Sequence, residues 1–84
     1  MRLSALIANY HSGAHALAAA RSLRAEWARL GRARDELELV VCDDASAGDE
    51  GAWLARIELE GARVLCRTER GGYAAAIESA LAST

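Results

Sequence analysis

Val40-Val41-Cys42-Asp43-Asp44-Ala45-Ser46 is an apolar, β-branched run that stops on two adjacent carboxylates. Branched side chains pack well on a pleated surface, so the run reads as a strand. Its last residues are apolar on both faces, as in a parallel strand covered on both sides. Two carboxylates at the end of such a strand are costly to bury unless they find donors or face a cleft. Leu37–Cys42 is therefore expected as a buried strand, with Asp43–Gly48 as a polar loop at its carboxyl end.

Upstream, Leu3–Ala8 is a second short apolar run, closed by Asn9-Tyr10-His11-Ser12-Gly13. Ser12 suits the N-cap of the helix that follows, and Gly31 suits its stop. Leu17, Ala20, Leu23, Trp27 and Leu30 recur at spacings of three and four, which puts one apolar stripe on that helix. Arg21, Arg24 and Arg29 fall off the stripe and are expected in solvent. A charged loop, Arg32–Glu36, leads into the Leu37–Cys42 strand.

Downstream, Asp49 and Glu50 stand in the first turn of a helix whose dipole favours negative charge there. Trp53, Leu54 and Ile57 give its apolar face, and Gly61 ends it. Ala62–Arg67 reads as a third strand. Gly71-Gly72 opens a last helix with Tyr73, Ala76, Ile77, Ala80 and Leu81 on its apolar side. The order is β-α-β-α-β-α with short connections, the pattern of an α/β, three-layer Rossmann-like domain. Its parallel sheet would have strand order 3-2-1. Leu3–Ala8 then lies at an edge with nothing beside it, a liability unless the chain self-associates there as a homo-oligomer or another segment covers it.

The 84 residues are expected to form a single domain, 1–84. Apolar residues make up 52% of the chain, but 20 of its residues are alanine, so the core is thin. A net charge of −2 gives no reason to expect nucleic acid or an anionic membrane as partner. No apolar run approaches the ~20 residues of a transmembrane helix. Cys42 and Cys66 sit in strands and read as buried, reduced thiols of a cytoplasmic protein.

In open parallel sheets, ligands bind beyond the carboxyl ends of the strands. Asn9–Gly13, Asp43–Gly48 and Thr68–Gly72 reach that edge. The loop after the first strand lacks the Gly-x-Gly-x-x-Gly pattern of dinucleotide folds and the Gly-Lys-Ser/Thr of a phosphate loop. Nor does the chain fit a phosphoacceptor receiver domain, which needs its acidic pair after the first strand. Arg70 is expected to be a solvated loop residue. His11 and His15, four apart, lack a third ligand nearby for a metal.

Taken in order, Ala-Asn-Tyr-His-Ser-Gly (8–13), Val-Val-Cys-Asp-Asp-Ala-Ser (40–46) and Arg-Gly-Gly-Tyr-Ala-Ala-Ala (70–76) resemble the family 2 inverting glycosyltransferases of GT-A fold, which use nucleotide-diphosphate sugars. The resemblance covers nearly the whole chain. It implies that Tyr10 lies against a nucleobase, with the backbone of Ala8 and Asn9 in the same pocket. It implies that Asp43 accepts the ring N–H of a uracil or thymine, so that the donor is of UDP or dTDP type. Asp44 and Ser46 would order the loop, and Gly71 and Gly72 would bring a helix N-terminus near the ribose and diphosphate.

Where family members carry Arg-Asn within the last helix, this chain has Ile77 and Glu78. The family's Asp-x-Asp motif, which holds Mg or Mn on the diphosphate, is expected just past Thr84, and the acceptor half and general base beyond it. The expectation is thus a truncated GT-A fold that binds a nucleotide sugar, holds no metal or catalytic residue of its own, and is inactive alone. The alternative is a non-catalytic truncated domain acting as an oligomerisation or interaction module.

Overall fold

A computed structural model of the chain describes residues 2–84. Strands β1 (Leu3–Asn9), β2 (Leu37–Asp43) and β3 (Arg63–Cys66) alternate with helices α1 (Gly13–Arg29), α2 (Glu50–Leu59) and α3 (Tyr73–Ala82). The charged loop before β2 contains a single 3-10 turn, Arg34–Glu36. The sheet is parallel with order β1-β2-β3, so β2 is central and β1 and β3 are both edges. In register, Leu3 stands beside Leu37 and Asn9 beside Asp43, and Asp43 in turn beside Cys66. The architecture is an open α/β sheet of the Rossmann-like kind.

The period of two along the strands divides the core between two faces. Leu37, Leu39 and Val41 join Ala16, Leu17, Ala20 and Trp27 of α1 and Ile57 of α2 on one face, with Ala5 and Ile7 of β1 packed against them. Val40 and Cys42 meet Ala76 and Ala80 of α3 on the other, with Leu6, Ala8 and Leu65 alongside. Leu39, Val40, Val41 and Ile57 are fully buried. Each such side chain contributes about 1.5–3 kcal/mol by leaving water. The face under α3 is built mainly from alanine and short side chains, and so contributes less.

Three sequence expectations change here. Leu23 and Leu30 are exposed, as are Tyr73 and Leu81 of α3. The buried stripe of α1 instead runs through Gly13, Ala16, Leu17, Ala20 and Trp27. Arg24 is not a solvated residue. Its guanidinium donates to the carbonyls of Leu37 (2.9 Å), Gly61 (2.9 Å), Glu60 (3.2 Å) and Arg34 (3.3 Å), tying three segments together at the amino end of the sheet. Desolvation, and then the neighbouring Arg34 charge, lower the Arg24 pKa. Cys42 is buried and its thiol pKa is raised mainly by that burial, whereas Cys66, at the end of edge strand β3, is exposed; both are free.

Helices α1 and α2 cover one face, and α3 crosses the other to lie over β1 and β2. The loops after β1, β2 and β3 therefore converge at one end of the sheet. No helix among the described residues is long and apolar enough to cross a membrane.

Candidate nucleotide cleft

At the carboxyl end of the sheet, the pleat sends Asp43 and Asp44 to opposite sides. Asp43 is 3% exposed. Its Oδ1 accepts hydrogen bonds from Asn9 Nδ2 (2.9 Å) and Ser46 Oγ (2.7 Å), and its Oδ2 accepts from the Ser46 backbone N–H (2.9 Å). The Asp43 side chain thus closes its own loop by accepting from the residue three positions on. Asn9 is equally engaged, since its Oδ1 accepts from Ser12 Oγ at 3.0 Å. Ser12, expected as a side-chain cap of α1, thus spends its hydroxyl on Asn9, and no side-chain cap bond forms.

Asp44, also 3% exposed, reaches the loop after β3. Its Oδ1 accepts from Gly71 N–H (2.9 Å) and its Oδ2 from Gly72 N–H (2.7 Å). Arg67 Nε lies 3.0 Å from Oδ1 as an ion pair, though out of line for a hydrogen bond. Arg67 also donates to Ser79 Oγ at 2.6 Å and so locks α3 to the same corner. The Gly71 amide bond, joined by those of Gly72 and the Arg67 charge, holds the Asp44 carboxyl below its ordinary pKa despite burial. The two glycine N–H groups are therefore taken up by Asp44 rather than left open to an anion.

Gly72 has φ 90° and ψ 177°, a region that is essentially glycine's alone. It lets the chain turn straight from the Asp44 clamp into α3. On the other side of the site, His11 has φ 50°, its N–H donates to Ser46 Oγ (3.0 Å), and its Nε2 accepts the Ala47 N–H at 3.4 Å. Gly13 N–H donates to buried Glu50 at 2.6 Å, which brings the start of α1 against α2.

Between these loops lies an open cleft of about 230 Å³, lined by Ala8, Asn9, Tyr10, Ser12, Asp44, Arg70, Gly72 and Tyr73. Of the residues singled out from sequence, Ala8, Asn9, Tyr10, Asp44 and Gly72 meet there, while Asp43, which is buried, and Gly71, which is exposed, do not line it. Tyr10 is 40% exposed, its ring edge-on to His11 with centroids 4.5 Å apart. Arg70 is exposed, as expected of a loop arginine, and lays its guanidinium 4.0 Å from the Tyr10 ring centroid. Tyr73 and Ser12 are lining residues that the sequence reading did not select. Their positions directly beside Gly72 and three after Asn9 were the available signal.

Among the described residues, no group of three or more His, Cys, Asp or Glu is placed to hold a metal ion. His11 Nδ1 lies 3.7 Å from Glu50 Oε2, a carboxylate brought near by the fold. A larger open depression, about 330 Å³, is lined by Cys66, Arg67, Thr68 and Glu69 beyond β3, but it gathers no convergent side chains.

No protein-family profile and no curated protein matches the sequence. Among solved structures, the chain is similar to the mannosyltransferase PcManGT from Pyrobaculum calidifontis, determined in complex with GDP-Man and Mn2+. The two share 23% identity with a TM-score of 0.68, over 99% of this chain and 24% of that one. The chain thus spans about a quarter of the length of the transferase it resembles, and what it shares with that quarter is the fold.

Proposed function

We propose that the chain is the nucleotide-sugar-binding portion of a glycosyltransferase of family 2 type. The full protein would transfer a sugar with inversion from a UDP- or dTDP-sugar to an acceptor hydroxyl, using Mg or Mn held by residues outside this chain. The observation that carries the reading is the cleft at the carboxyl ends of β1 and β2, with a half-exposed Tyr10 ring at its mouth. An aromatic face beside polar backbone and side-chain groups can stack a base while its edge is hydrogen-bonded. The shared fold with a transferase solved with a nucleotide sugar supports the same reading.

In this reading Tyr10 stacks on the base, Ala8 and Asn9 line its edge, and Asp44 with Gly71 and Gly72 shapes the floor toward the ribose. Asp43 meets the base only after the Asp43–Ser46 turn gives up a bond. The protein works in the cytoplasm, where nucleotide sugars are made. By itself the chain binds nucleotide and does not turn over.

Calorimetric titration with UDP, dTDP and GDP at millimolar concentration tests this. Binding of UDP or dTDP that disappears in Tyr10→Ala is expected, and flat titrations with all three overturn the reading. The unpaired edge of β1 favours a second reading, a non-catalytic module that associates through that edge.

A further inference from the structure

Two charged side chains line the cleft, Asp44 and Arg70, and their surroundings are opposite. Asp44 is buried and fully engaged, its oxygens accepting from Gly71 and Gly72 with the Arg67 guanidinium alongside. Arg70 is exposed, and its N–H groups carry no hydrogen bond or ion pair among the described residues. Its guanidinium instead lies over the face of the Tyr10 ring, 4.0 Å from the centroid.

That placement bears on both ends of a nucleotide. Free backbone N–H groups at a helix start would ordinarily hold an anion. Those of Gly71 and Gly72 are taken by Asp44, whose own charge repels one. Arg67 is committed as well, to Asp44 and to Ser79. Arg70 is then the lining cation with open donors, and a guanidinium fork matches phosphate oxygens. At the other end, the guanidinium covers the Tyr10 face on which a base would stack. A base can displace it, because a single cation–π contact at an exposed position is weak.

We propose that Arg70 is a two-position residue that makes the cleft prefer a nucleoside diphosphate over the bare nucleoside. In the free chain it covers the Tyr10 ring. When a base takes that face, the guanidinium swings off the ring and binds the diphosphate. Binding thus exchanges a cation–π contact for a base stack and a charge-assisted pair. A nucleoside without phosphate displaces the guanidinium and offers it nothing in return, so the same residue works against it. Arg70 has this role only if the cleft is a nucleotide site, and it takes over the anion contact that the family resemblance gives to Gly71 and Gly72.

Titration of the parent chain and of Arg70→Ala with uridine and with UDP, followed by amide shifts in NMR spectra, tests the exchange. Arg70→Ala should weaken UDP by roughly tenfold or more, the size of a lost charge-assisted contact. It should leave uridine unweakened or tighten it by up to about fivefold, the size of an exposed cation–π contact. UDP binding indifferent to Arg70→Ala overturns the proposal and leaves the nucleotide reading standing. Uridine that weakens along with UDP also overturns it, because Arg70 then supports the base or the loop instead. A parent chain that binds neither ligand overturns the nucleotide reading and this proposal with it. The Arg70 Nε–H resonance gives a check that needs no variant. It should lie upfield in the free chain, from the Tyr10 ring current, and move downfield as UDP is added. A resonance at its ordinary position in the free chain, or one that bound UDP leaves in place, overturns the exchange.

Discussion

Asp44 holds Gly71 and Gly72 by their two backbone N–H groups, one on each carboxylate oxygen, at 2.9 and 2.7 Å. The clamp needs an ionised carboxylate, because a protonated or amide side chain presents a donor where an acceptor is required. The folded-state pKa of Asp44 is depressed, chiefly by the Gly71 bond. Its contribution to stability is therefore complete above the unfolded carboxylate value of about 3.9 and is lost as pH falls through the folded value. Asp44→Asn should lower the thermal midpoint near neutral pH and flatten the loss of stability on acidification. Circular dichroism melts between neutral pH and the acid range check both.

Asp43 and Tyr10 should separate scaffold from ligand contact. Asp43→Ala leaves the buried Asn9 amide without its acceptor and frees the Ser46 turn, a loss of about 1–3 kcal/mol. Tyr10→Ala removes a half-exposed ring and should cost less than about 1 kcal/mol. Chemical denaturation should therefore rank Asp43→Ala well below Tyr10→Ala in stability, while titration with UDP shows binding lost in Tyr10→Ala.

How much of this corner was legible in the sequence depends on the range of each interaction. The strand ends, the period of two and the loops that meet at the sheet edge follow from local pattern. That Asp44 would find its donors 27 residues away does not, because no local spacing links it to Gly71. Arg24 illustrates the same limit. Helical periodicity marks it as polar, yet its environment is set by carbonyl groups of Arg34, Leu37, Glu60 and Gly61 that only the tertiary fold gathers. Leu23 and Leu30 keep the apolar spacing of α1 but are exposed, although Ala20 and Trp27 of the same helix are buried. Periodicity names the side of a helix and not how far the adjoining layers extend.

The glycines differ in what they permit. A Cβ at Gly13 would overlap Glu50 Oε1 and the Trp53 side chain, so Gly13→Ala pushes α1 from α2. Overpacking of this kind costs about 1–3 kcal/mol. Gly72→Ala meets no atom but must adopt φ 90°, with a similar cost of about 1–3 kcal/mol. Gly51, in the first turn of α2, has open space and no left-handed φ. Gly51→Ala should stabilise the chain by up to about 1 kcal/mol. Urea denaturation of the three variants gives opposite signs if the close approach and the turn are as described.

Arg24 offers the sharpest test of the amino end of the sheet. Its planar fork serves four carbonyl groups: Glu60 and Gly61 in the turn after α2, Arg34 in the 3-10 turn, and Leu37 at the start of β2. A lysine keeps the charge and much of the stem but cannot reach those acceptors in fixed directions. Charge-assisted hydrogen bonds at part-buried sites contribute about 1.5–3 kcal/mol each when isolated, and neighbours sharing one donor group are not additive. Arg24→Lys should thus cost roughly 2 kcal/mol, and Arg24→Met a similar amount, since the loss lies in directed bonds rather than net charge. Denaturant midpoints for both variants check this, and a lysine variant as stable as the parent chain would show that charge alone suffices there.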